Sequence, residues 1–119
     1  MTNDNLNWIK CQGDVWCSLN SMNLAHQHFD NLEGVYIIWH GGIQPKVVYV
    51  GMGNIRERLR HHRNDPSIQR YSYNGLFVTW ASVEKSKQPG IEAHLISKWK
   101  PLANVQKPNK MPIVVNSPF

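Results

Sequence analysis

Apolar residues in this chain gather in short blocks separated by polar stretches. The densest block is residues 34–40 (GVYIIWH), β-branched and aromatic, bounded by Gly34 and by the Gly41-Gly42 pair. A run without alternation predicts a strand buried on both faces. A second such run, residues 46–50 (KVVYV), ends at Gly51, and the GGIQP loop between them predicts a β-hairpin. From Asn54 the spacing becomes helical. Ile55 and Leu59 form an apolar stripe, Asn54 suits an N-cap with Glu57 three residues on, and Asp65-Pro66 predicts the stop. Residues 76–82 (LFVTWAS) predict a third strand. Pro89-Gly90 opens a second helix over 91–100, with Ile91, Leu95, Ile96 and Trp99 inward and Pro101 as its end.

Residues 1–33 are polar with scattered Trp8, Ile9, Val15, Trp16, Leu19 and Leu24. They predict a short extended piece near 14–19 and a short helix near 21–29. The tail from 101 onward is proline-rich and predicted extended, lying across the core through Ile113, Val114 and Val115. The expected fold class is α+β: a small three-stranded, mostly antiparallel sheet, covered on both faces by helices. The expected organisation is an N-terminal extension, 1–33, packing on a core, 34–107, followed by an extended tail, 108–119.

Composition narrows this further. At 119 residues, with 41% hydrophobic residues, five Trp, four Tyr and three Phe, the chain is too apolar for disorder and fits one domain. No stretch approaches the ~20 apolar residues of a membrane span, and the opening MTNDNLNWIK lacks the pattern of a secretory signal. Cys11 and Cys17 are therefore expected as reduced thiols of a cytoplasmic protein, and a four-ligand zinc site is not expected.

Charge is uneven. Residues 1–33 hold one Lys against Asp4, Asp14, Asp30 and Glu33, net −3, while residues 34–119 hold twelve Lys and Arg against four acids, net +8. A basic body suggests a polyanionic partner, nucleic acid first; a solvated basic surface is the plain alternative. The segment 54–63 concentrates this charge, with Arg56, Arg58, Arg60 and Arg63 and two His against one Glu. Arg58 and His62 are four apart and share a helix face. Arg forks suit phosphate oxygens. Glu92, placed in the first turn of the second helix, is either a partner of the helix dipole or a ligand for a hard cation. Tyr36 and Tyr49 lie on adjacent strands and are either core aromatics or reactive hydroxyls. His26 and His28 are two apart and point apart on a helix, which disfavours metal.

Gly34-Val35-Tyr36, then Tyr49-Val50-Gly51 thirteen residues on, then a helix with Arg58 and His62, then Glu92 and Asn104, resemble the GIY-YIG endonuclease domain over residues 33–107. Val35 and Val50 stand where the family's name has isoleucine. The stretch from Gly51 to Arg58 is one residue shorter than usual, and Arg58 rather than Arg56 keeps the family's four-residue spacing to His62.

The resemblance implies phosphodiester hydrolysis dependent on Mg²⁺ (or Mn²⁺), with nucleic acid, DNA first, as partner. It implies that Tyr36 activates water or acts as general base, that Tyr49 positions water or phosphate, and that Arg58 neutralises the scissile phosphate. His62 would tune or relay from Tyr36, Glu92 would be the one protein ligand of the metal, Asn104 would order the site, and Gly51 would let the backbone come close. Arg56, Arg60 and Arg63 would add phosphate contacts. A phenol titrates at about 10; either Arg58, His62 and the metal would lower that of Tyr36, or the metal would lower that of its own bound water. The alternatives are a nucleic-acid-binding module that keeps the fold without catalysis, and a partner-binding domain using residues 1–33.

Overall fold

A computed structural model describes residues 5–104 and 108–119. The expected boundary at 107 lies outside the described residues. The sheet has four strands, β1 (Cys17–Ser18), β2 (Glu33–His40), β3 (Lys46–Asn54) and β4 (Leu76–Ser82), in the order β1-β4-β2-β3, all antiparallel. The expectation of three strands is corrected by β1. Cys17 and Ser18 pair with Val78 and Phe77, and flanking bonds from Ile9 N to Trp80 O (2.9 Å) and Leu19 N to Leu76 O (2.9 Å) fix the N-terminal segment along β4.

The central strand β2 places Tyr36 opposite Gly51 of β3 on one side and opposite Trp80 of β4 on the other. Only its first residue, Glu33, is not buried. Its side chains alternate. Val35, Ile37 and Trp39 pack with Ile91 and Leu95 of the long C-terminal helix and with Val115 of the tail. Tyr36 and Ile38 pack with Ile55, Leu59 and Ile68, and with Leu19, Leu24 and Phe29 of the N-terminal segment. Each fully buried aliphatic side chain of this kind contributes about 1.5–3 kcal/mol. The non-alternating sequence of β2 is the consequence of this two-sided cover.

Three helices follow from local signals. In α1 (Ile55–His62), Asn54 is the N-cap and accepts from Glu57 N at 3.1 Å. Asp65-Pro66 ends that helix and starts another, α2 (Pro66–Gln69), with Asp65 as its cap and Pro66 in its first turn. The third, α3 (Gln88–Trp99), begins ahead of the expected Ile91 because Pro89 fits the first turn, where no N–H is needed. Glu92 therefore sits in the second turn. The helix expected near 21–29 is a single 3-10 turn, Gln27–Phe29. There, Asn23 Oδ1 accepts from Ala25 N (3.0 Å) and His26 Nδ1 accepts from His28 N (2.9 Å), so side chains take donors a helix would use.

After α3 the chain returns along β3 as a strap. Leu102 N donates to Val47 O (3.1 Å), Ala103 N to Val48 O (2.8 Å), and Asn104 bonds Val50. The tail then packs on α3, with Ile113 N bonded to Gly90 O at 2.9 Å. It also meets the N-terminal segment. Trp8 Nε1 donates to Asn116 O (3.0 Å), and the Asn116 side chain bonds both N and O of Leu6. Cys11 and Cys17, expected as separate thiols, are joined in a disulfide that closes the turn carrying the Cys11–Val15 bridge. A bonded pair belongs to oxidising conditions, so the thiol-based argument for the cytoplasm falls away. Among the described residues, no helix is long and apolar enough to cross a membrane.

Candidate active site

The β2-β3 pair and α1 converge on the Tyr36 hydroxyl. Tyr36 lies opposite Gly51, and its ring crosses that residue so closely that a Cβ there would stand 2.2 Å from the hydroxyl. Glycine at 51 is therefore a space requirement set by Tyr36. Gly34 has a different reason, since a Cβ there would stand 2.0 Å from Ala81 O on the neighbouring strand.

Two groups from one face of α1 meet the Tyr36 hydroxyl. His62 Nε2 is 2.6 Å away, and Arg58 Nε donates to it at 3.4 Å. Arg58 offers only donors, so the hydroxyl oxygen accepts from Arg58; with one tautomer of His62 its proton goes to Nε2, and with the other it accepts from Nε2–H. With the first tautomer the imidazole carries its own proton on Nδ1. That atom is buried with no hydrogen-bond partner, and Asp65 Oδ2 lies 3.9 Å from it. Tyr49 stacks near-parallel to Tyr36 with ring centroids 6.2 Å apart, and its ring lies 4.5 Å from that of His62.

Burial decides how these groups titrate. It pushes the Tyr36 phenol up, while the hydrogen bond and charge of Arg58 pull the other way and lose. The expectation of a lowered Tyr36 is thereby corrected: the side chain is fully enclosed, and desolvation outweighs its cationic neighbour. Burial, with Arg58 adding to it, lowers His62 to about 4, so the ring is neutral near pH 7 and holds an added proton only weakly. Glu92, partly buried on α3, is raised to about 7 by burial, with the charge of Arg58 opposing. Its charge is felt in turn by Tyr36. In the second turn Glu92 is beyond the reach of the helix dipole, which weakens that explanation.

Asn104 reaches the site from the strap. Its Oδ1 accepts from Val50 N (2.8 Å) and its Nδ2 donates to Val50 O (2.9 Å), so the side-chain amide acts as a strand partner between Tyr49 and Gly51.

The other arginines of α1 divide. Arg56 donates to Leu24 O (2.8 Å), His26 O (2.9 Å) and Asp30 Oδ1 (2.7 Å). Arg63 donates to Leu19 O (2.7 Å) and Met22 O. Both hold the N-terminal segment against α1, a use different from the phosphate contacts expected of them. Arg60 is exposed. His26 and His28 are structural: His26 caps its turn and His28 Nε2 accepts from Trp80 Nε1 at 3.1 Å.

Sequence reasoning missed Asp65 as a site residue. An acid three residues after His62 was the available signal, but Asp65-Pro66 served there only as a helix stop. No protein family, no curated protein and no solved structure gives a match to this chain.

Proposed function

We propose that this chain is a metal-dependent endonuclease that hydrolyses phosphodiester bonds, with DNA as its target. The observation that carries the proposal is the Tyr36 hydroxyl held between His62 Nε2 at 2.6 Å and Arg58 Nε at 3.4 Å. At rest the phenol is protonated and His62 is neutral. As a water attacks phosphorus, Tyr36 takes the water's proton and passes its own to His62 Nε2. The new P–O bond forms while the bond to the leaving oxygen breaks; that oxygen takes a proton from solvent, and the His62 imidazolium returns its own to solvent. Asp65, facing Nδ1, offsets the charge of the imidazolium that results. The Arg58 guanidinium faces the charge growing on the phosphate.

Glu92 is the residue that would hold the metal. Among the described residues no cluster of three or more His, Cys, Asp or Glu exists, so the reading rests on the Glu92 carboxylate alone. Mg²⁺ completes its shell with water and phosphate oxygens, and Mn²⁺ is a close substitute. A carboxyl raised to about 7 beside the site gains by pairing with a cation. Such an ion would supply positive charge to the phosphoryl oxygens.

One observation favours a second proposal, a nucleic-acid-binding module without catalysis. Tyr36 is fully enclosed, so water reaches its hydroxyl only if a neighbouring group moves aside. Glu92→Gln separates the two. Wild-type protein should nick supercoiled DNA in Mg²⁺ and stop in chelator. The variant should bind DNA as well or better and fail to cut. Wild-type protein that binds DNA and never cuts in Mg²⁺ or Mn²⁺ is the binding module.

A further inference from the structure

Trp16, Trp39, Trp99 and Phe119 line a cleft of about 570 Å³ together with Lys46 and Lys100. It lies on the face of the sheet away from Tyr36, where Trp39 points with Val35 and Ile37. The rings brace one another. Trp16 meets Trp39 edge-on at 5.2 Å, and Phe119 lies 5.0 Å from Trp39 and 5.1 Å from Trp99. Trp16 and Trp99 also carry cations, Lys10 at 4.6 Å and Lys98 at 5.5 Å from the ring centroids. Lys10 is paired with Asp14 at 3.6 Å. Among the described residues, no Asp or Glu side chain lines the cleft.

Flat aromatic walls suit a planar ring, and lysines with no lining acid suit an anion. The two together are the chemistry of a nucleotide. The size lies in the range of small-molecule sites, roughly 300–1,000 Å³. We propose that this cleft binds one unpaired nucleotide of a single-stranded nucleic acid, its base against the indole rings and its phosphates at Lys46 and Lys100. A duplex keeps its bases stacked inside and cannot offer a ring face to a concave site. The proposal shares with the nuclease reading only the choice of nucleic acid, and it needs no cleavage.

The test is a titration of the full chain with a ten-nucleotide oligothymidylate in chelator, followed by tryptophan emission. Saturable quenching is expected. Lys46→Glu with Lys100→Glu should weaken binding at least tenfold more than the same charge change at Lys85 and Lys110. Trp99→Ala should weaken it by about 5- to 150-fold, the loss of one base stack. The lysine pair is exposed, so its variants keep the question answerable if Trp99→Ala fails to fold. Equal affinity in the two lysine pairs overturns the proposal. So does equal competition by a duplex of the same length, or equal quenching by oligoglutamate. Binding here with no DNA cleavage in Mg²⁺ sinks the nuclease proposal alone. Cleavage of duplex with no strand binding sinks this one alone.

Discussion

His62 and Glu92 respond to burial in opposite senses, and the signs can be followed separately. His62 falls from 6.5 to about 4 on folding, so between those values the unfolded chain binds more protons. Its contribution to stability is complete above about pH 6.5 and is lost as pH falls through about 4. Glu92 rises from 4.5 to about 7, so there the folded chain binds more protons. Its contribution is complete below about pH 4.5 and is lost as pH rises through about 7. Where the windows overlap, the two offset each other. Glu92→Gln removes only the second. Thermal melts should show the variant more stable than wild type at about pH 8, by about 1–2 kcal/mol after allowing for partial solvent screening, and level with it near about pH 4. Added Mg²⁺ should raise the wild-type melting temperature at the higher pH and leave the variant unmoved. A stability difference that is the same at both pH values would mean that Glu92 titrates like an ordinary surface acid.

Within α1, adjacent turns serve different purposes. Arg56 makes three hydrogen bonds to the segment before β2, and Arg60, on the same helix, is exposed. Arg56→Ala should cost about 1.5–3 kcal/mol in stability, since charge-assisted bonds to carbonyls are lost. Arg60→Ala should leave melting unchanged, weaken DNA binding and reduce the salt slope by about 1. The opposite pattern in melts and salt titrations would return Arg56 to the DNA-binding surface. The sequence could not reveal this division, because all but one of the partners of Arg56 and Arg63 are backbone carbonyls some 30 to 44 residues away, the other being the Asp30 carboxylate, 26 residues away. What was legible was local. The unbroken apolar run made β2, Leu76–Ser82 made β4, and Asn54 with Glu57 capped α1. The extended piece expected near 14–19 holds β1, but two residues carry no period, so its place in the sheet is defined only by its pairing with β4. The spacing that placed Arg58 and His62 on one helix face also put both beside Tyr36. Burial of the strand was legible from the same run, but not that the Tyr36 hydroxyl would be enclosed with it and that desolvation would outweigh Arg58.

Across the whole molecule, the two ends of the chain meet through Asn116 and Leu6, and the sheet separates the tyrosine cluster from the aromatic cleft. One edge of that sheet is the short β1; the other is β3, nine residues long and covered by the 102–104 strap. A long strand with free N–H and C=O groups is a template for another chain, and short edges or covered ones avoid this hazard. Asn104 is the last link of the cover, and it occupies both backbone groups of Val50. Asn104→Ala should expose them and promote concentration-dependent self-association, visible by sedimentation or light scattering even where DNA cleavage is not measured. A variant that stays monomeric across the concentration range would mean that the bonds of Leu102 and Ala103 suffice. The strap thus makes the strand bearing Tyr49 a closed margin rather than a seed for intermolecular β-addition, and a residue beside Tyr36 and Tyr49 also guards the molecule against aggregation.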